Sequence, residues 1–133
     1  MDELYQKQIL ELARQARNKA DIAHPTHHAK VNNPTCGDSV SIAAVLMGDE
    51  ISQLQINVEG CALCEAGAGL LVQLATHSSA SEISAWHKKL DDFLKSGVTE
   101  DVPSELVPFT PIRAVKNRHK CVKLSFVAFE NLA

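Results

Sequence analysis

Three cysteines far apart in the chain, Cys36, Cys61 and Cys121, stand in settings suited to a reactive or metal-bound thiolate, and Asp38 follows the first at i+2. Thiolate sulfur selects zinc, copper(I) or iron–sulfur clusters, whereas a carboxylate oxygen is a harder donor whose bond to such metals opens more readily. Three soft ligands and one replaceable hard one describe a centre that loads and unloads a metal. The same thiolates suit persulfide chemistry. Cys64, three residues after Cys61, shares a helical face with it and is either a packed apolar thiol or a further ligand that supplements or displaces Asp38. Cys61-Ala-Leu-Cys64 is also a C-x-x-C, a redox signature when it follows a strand and opens a helix in a βαβ unit. The strands before it read as antiparallel, which argues against that use.

Other residues with chemical potential have plainer readings. His24, His27 and His28 crowd a polar stretch beside Pro25 and read as solvated surface. His119, two residues before Cys121, is the one histidine retained as a candidate neighbour of the site. Arg118 and Lys120 flank Cys121 at the start of a helix, where positive charge opposes the macrodipole. That local mismatch points to a purpose, such as holding an anionic cluster, a persulfide or an acidic patch on a partner. Glu59 and Glu65, near Cys61, read as solvated charges.

The elements that must bring these residues together are visible in the apolar spacing. Tyr5, Ile9, Leu12, Ala13 and Ala16 predict an amphipathic helix over 3–17, ending near Asn18. A loop from Lys19 to His28 leads to a short strand around Ala29–Asn32. Alternation through Val40, Ile42, Ala44 and Leu46, then through Leu54, Ile56 and Val58, predicts two further strands joined at Gly48-Asp49-Glu50. Residues 61–76 are small and apolar, which suits a buried helix. Its Gly67 and Gly69 each weaken it by about 1 kcal/mol relative to Ala, so packing must compensate. Ser79-Ala-Ser-Glu82 is a capping box for a helix that points Ile83, Trp86, Leu90, Phe93 and Leu94 inward and stops at Gly97. Val98–Pro108 reads as a surface linker or short helical turn, and Thr110-Pro111 as a helix start. Asn117 reads as the cap of a last helix that carries Cys121 in its first turn and sends Leu124, Phe126, Val127 and Phe129 into the core. The fold class is α+β: a small three-stranded antiparallel sheet covered by helices, with an N-terminal helix and a C-terminal helical segment.

At 133 residues the chain suits a single domain spanning 1–133, and 45% hydrophobic with 22% charged residues excludes a disordered or fibrous class. A net charge of −3 gives no general attraction to nucleic acid or to an anionic membrane surface. Asp2 and Glu3 stand where a signal peptide would carry positive charge, and no run of about 18 apolar residues is available to span a bilayer. A cytoplasmic location is therefore expected. In that reducing compartment cysteines serve metals or sulfur chemistry more readily than disulfides.

Asn33-Pro34-Thr35-Cys36-Gly37-Asp38, Glu59-Gly60-Cys61 and Arg118-His119-Lys120-Cys121-Val122-Lys123-Leu124, in this order, resemble the IscU/SufU/NifU N-terminal family of iron–sulfur cluster assembly proteins. The likeness extends to Glu3-Leu4-Tyr5 and Arg17-Asn18. It is nearest the SufU branch, because the chain lacks a Leu-Pro-Pro-Val-Lys stretch and carries Lys120 where the IscU branch has a histidine. The resemblance implies a SufE/IscU-like fold in which Cys36, Asp38, Cys61 and Cys121 bind zinc or a nascent [2Fe-2S] cluster. It also implies a cysteine desulfurase as sulfur donor and apo iron–sulfur proteins as recipients. Two roles follow from it: a non-catalytic scaffold, or a zinc-dependent sulfurtransferase, an enzyme in which Cys121 accepts the persulfide. Cys64 departs from the family pattern, which usually has a small or hydroxyl residue there.

Overall fold

Helix α1 (Glu3–Arg17) forms where the apolar residues recur every three to four positions, and it buries Ile9, Leu12, Ala13 and Ala16 along one face. The computed structural model describes residues 3–17, 21–34, 37–96 and 101–133. The helix ends expected near Asn18 and at Gly97 lie outside the described residues.

Strands β1 (His27–Asn33), β2 (Asp38–Met47) and β3 (Glu50–Glu59) pair in the order β1-β2-β3, antiparallel throughout. Gly48, with φ +63, takes the first position of the two-residue β2–β3 turn, where a II′-type connection needs positive φ. Val40, Ile42, Ala44 and Ile56 are buried on the inner face, while Ser41, Gln55 and Asn57 alternate onto the other. β1 starts earlier than the apolar pattern suggests: His27 and His28 pair with Ala44 and Ala43, not in a loop. The His28 backbone also exchanges hydrogen bonds of 3.0 and 3.2 Å with Ala133, so contacts remote in sequence extend the strand.

Helices α2 (Ala62–Ala75), α3 (Ala80–Ser96) and α4 (His119–Glu130) complete the core around Leu70, Leu71, Leu90 and Phe126. The capping box forms as expected: the Ser79 N–H donates to Glu82 Oε1 at 2.9 Å and the Glu82 N–H to Ser79 Oγ at 3.3 Å. Ser81 donates from both its N–H and its hydroxyl to Asp49, tying α3 to the hairpin. On α4, Val122, Ser125 and Ala128 join Leu124, Phe126 and Phe129 in the core, and Val127 is half-buried.

Two expectations need correction. Of the two readings of Val98–Pro108, linker or short helical turn, the helical one holds from Ser104, but as one continuous 3-10 helix to Ala114 with no new start at Thr110-Pro111, and it buries Leu106, Phe109 and Ile112 rather than lying on the surface. A 3-10 helix has three residues per turn, so side chains at i, i+3 and i+6 eclipse; these three fall on one line. Pro108 and Pro111 lie inside it, each without an N–H to donate to the turn before. Asn117 does not cap α4, because Lys116–Arg118 form a 3-10 turn that encloses it and leaves Arg118 as the residue before the helix.

Candidate metal centre

Asp38 opens β2, Cys61 immediately precedes α2 and Cys121 sits in the first turn of α4. The sheet and the two helix starts bring them together: a carboxylate oxygen of Asp38 and the Sγ atoms of Cys61 and Cys121 all lie within 4.8 Å of one another. Ligand atoms on one tetrahedral zinc stand roughly 3.3–3.8 Å apart, so a small side-chain adjustment would let the set close on a single ion. Among the described residues this is the one cluster of three or more such ligand atoms. Cys36 lies outside the described residues. Among the described residues around it, Asn33 pairs with Asp38 across β1 and β2, and the Gly37 N–H donates to the Asn33 carbonyl at 2.9 Å.

Asp38 is 3% exposed, and a carboxylate so buried needs hydrogen-bond partners. The Cys61 N–H donates to its Oδ1 at 3.2 Å, and the Cys61 thiol lies 3.9 Å from Oδ2. This approach depends on Gly60, where a β-carbon would stand 2.5 Å from Asp38 Oδ1. The spacing between the two cysteine-bearing helices rests on a second glycine. A β-carbon at Gly67 would collide with the Val122 carbonyl, so α2 lies directly against the α4 backbone next to Cys121. Gly69 makes the same close approach to Leu12 on α1.

Cys61 is partly exposed, while Cys64 and Cys121 are buried, and none of the three is in a disulfide. Cys64 faces the core from the first turn of α2 and is not part of the three-residue cluster. The sheet before Cys61 is antiparallel, so the C-x-x-C has no βαβ setting. His119 is buried with its Nε2 directed to the carbonyls of Ile112 and Arg113, at 3.0 and 3.2 Å. Carbonyls only accept, so Nε2 carries the hydrogen and ties the 3-10 helix to the start of α4. His24 and His28 are exposed and His27 Nδ1 meets Thr26 Oγ1 at 2.7 Å, consistent with surface histidines.

Charges near the site are organised by ion pairs that the spacing did not announce. Glu65, expected to be a solvated charge, receives Arg17 in a two-pronged contact of 2.7 and 2.8 Å. The shared hydrogen bonds raise the arginine's already high pKa. Lys123, two residues past Cys121, donates to Asp91 Oδ1 at 2.5 Å, and Lys95 meets the other oxygen at 3.0 Å. The Lys123 hydrogen bond, helped by Lys95, holds the Asp91 carboxyl below the ordinary aspartate range. Lys120 is exposed; with Lys123, Asn32, Asn33, Pro34, Leu124 and Val127 it lines a cavity of about 380 Å³.

Residues 4–102 match the family model of the NifU-like N terminal domain, a span that includes Cys36, Asp38 and Cys61 and stops before Cys121. The zinc-dependent sulfurtransferase SufU of Bacillus subtilis is 27% identical over 133 residues, covering 98% of this chain and 89% of that protein. The crystal structure of a nitrogen-fixing NifU-like protein (N-terminal) from Brucella abortus is 26% identical, with a TM-score of 0.82 over 96% of this chain and 90% of that one. A proposed iron–sulfur cluster assembly scaffold for the SUF system of Fervidobacterium islandicum AW-1 also gives 0.82, at 20% identity over 93% and 92%, a likeness of fold.

Proposed function

The chain belongs to the NifU-like N-terminal domain family, and from that premise we propose that it is an iron–sulfur cluster assembly scaffold, a single domain that receives sulfur from a cysteine desulfurase and passes a nascent cluster to apo-proteins in the cytoplasm. The observation that carries this reading is the convergence of Asp38, Cys61 and Cys121 within 4.8 Å from a strand and two helix starts. Cys36 completes the ligand set. The bound metal would supply a Lewis-acidic centre for sulfur, and the protein's part is to present thiolates at fixed spacing. Asp38 supplies the ligand that yields first, since its carboxylate is the harder donor and keeps the Cys61 N–H as an alternative partner. Anaerobic reconstitution with iron, cysteine and a desulfurase should give a visible [2Fe-2S] chromophore that Cys61→Ser and Cys36→Ala each lose. A colourless wild-type protein removes the scaffold reading.

A second reading is favoured by the named activity of the Bacillus relative: a zinc-dependent sulfurtransferase. Here the Cys121 thiolate attacks the outer sulfur of a desulfurase persulfide, so the sulfane sulfur moves to Cys121 and the donor cysteine leaves as a thiolate. Exposed Lys120 in the cavity lining supports docking of an acidic partner surface or an anionic sulfur species. The zinc-loaded protein should then stimulate desulfurase turnover, and Cys121→Ser should abolish the stimulation. Absence of stimulation by the zinc form excludes this alternative.

A further inference from the structure

Cys64 stands outside the cluster, yet it is three residues from one of its members. Cys61 stands at the N-cap of α2 with an extended backbone (φ −75°, ψ 170°) and makes no side-chain cap bond. Cys64 follows in the first turn, fully buried, and both pack against the same apolar cluster. Residues three apart at a helix start have Cα atoms about 5 Å apart, inside the Cα range of about 4.4–6.8 Å that a disulfide spans. A partly exposed first cysteine and a buried second one at a helix start give an order of attack, outer thiol first and inner thiol second, that does not depend on the βαβ setting of a thioredoxin-type pair.

We propose that Cys61 and Cys64 form a dithiol that reduces a sulfane sulfur held on Cys61 to sulfide. The inference rests on the reading that this centre receives sulfur from a persulfide donor. Cys61 takes the sulfane sulfur from Cys121, within 4.8 Å, by attack of its thiolate on the outer sulfur, which leaves Cys121 as a thiolate; the Cys64 thiolate then attacks Cys61 Sγ. The Cys61–Cys64 disulfide bond forms, the bond from Cys61 Sγ to the outer sulfur breaks, and that sulfur leaves as hydrosulfide. The two cysteine sulfurs supply the two electrons, and the proton given up by Cys64 is matched by protonation of the leaving sulfide. One turnover needs no outside reductant; a cellular thiol or dithiol resets the pair. Cys121 also lies within 4.8 Å of Cys61, but on another helix. The Cys61–Cys64 link closes a loop of two intervening residues and leaves Asp38 and Cys121 in position for metal.

The test uses the full chain, metal-free, treated anaerobically with inorganic polysulfide, desalted, and followed by released sulfide and peptide mass spectrometry. The wild type should release sulfide without added reductant and acquire a Cys61–Cys64 cross-link. Cys64→Ser, which keeps the volume, and Cys64→Ala, which keeps an apolar core, should hold persulfide on Cys61 and release sulfide roughly tenfold more slowly or worse, while still binding zinc. Release by these variants at the wild-type rate, a wild-type cross-link between Cys61 and Cys121, or persulfide that never settles on Cys61 would each overturn the proposal. Zinc loading and desulfurase stimulation of the wild type report separately on the parent reading: their loss condemns the site itself, whereas their survival with any of those three results condemns the role of Cys64 alone.

Discussion

Asp38 holds two positions at once, as acceptor for the Cys61 N–H and as the oxygen member of the cluster. Replacing it by alanine strips the part-buried Cys61 N–H of its partner and removes one candidate ligand. Zinc affinity in Asp38→Ala should fall by roughly a hundredfold or more, beyond the range seen when outer-shell partners are lost, as read by competition with a chromophoric chelator. Affinity within a factor of three of wild type would remove Asp38 from the ligand set. Gly60→Ala should weaken zinc binding too, because the new methyl displaces the Asp38 carboxylate. Most of this site is legible from residue types: Asp38, Cys61 and Cys121 stand out as soft and hard donors in suitable contexts. What they do not reveal is neighbourhood. His119 lies close to Cys121 in sequence but turns its Nε2 to Ile112 and Arg113. Glu65 looks solvated until Arg17, 48 residues away, is found on it.

At the scale of elements, the distance between Cys61 and Cys121 is set by how closely α2 lies on α4, and Gly67 permits that contact. In Gly67→Ala the gain of about 1 kcal/mol in helix propensity is opposed by an overpacking cost of about 1–3 kcal/mol or more, because the clash is with backbone. Chemical denaturation should show net destabilisation, and zinc affinity should drop with it; a stabilised variant with intact zinc binding would refute the spacing argument. The α3–α4 contact carries a pH signature. Asp91 has a folded pKa below its unfolded value because Lys123 and Lys95 stabilise the carboxylate, so its contribution is present above about pH 4 and is lost as pH falls through the depressed pKa. Asp91→Asn should cost about 1 kcal/mol near neutrality, a cost that disappears in acid. A stability difference that persists unchanged in strong acid would contradict this. Among the elements, α1 and the central strands follow directly from apolar period. Ser104–Ala114 does not, since its signal is the unusual three-residue spacing of Leu106, Phe109 and Ile112, and the two prolines hide it from an α-helical reading.

For the whole molecule, the sheet supplies Asp38 and the layer of helices supplies Cys61 and Cys121, so the centre exists only when both are assembled. Metal and fold are therefore linked: zinc bound to the native chain should raise its unfolding midpoint, in proportion to the logarithm of zinc above its dissociation constant. Among the described residues no helix is long and apolar enough to cross a membrane. The three-stranded sheet with its covering helices was readable from alternation and helical period. Its join to Ala133 was not, because the two bonds between His28 and Ala133 link residues 105 positions apart. The most direct test of the account is X-ray absorption at the zinc edge on the full chain loaded with one equivalent of zinc. A shell of three sulfurs at about 2.3 Å and one oxygen at about 2.0–2.2 Å, losing one sulfur in Cys121→Ser, is the expected result. A nitrogen- and oxygen-only shell, or one unchanged by removing Cys121, would contradict it.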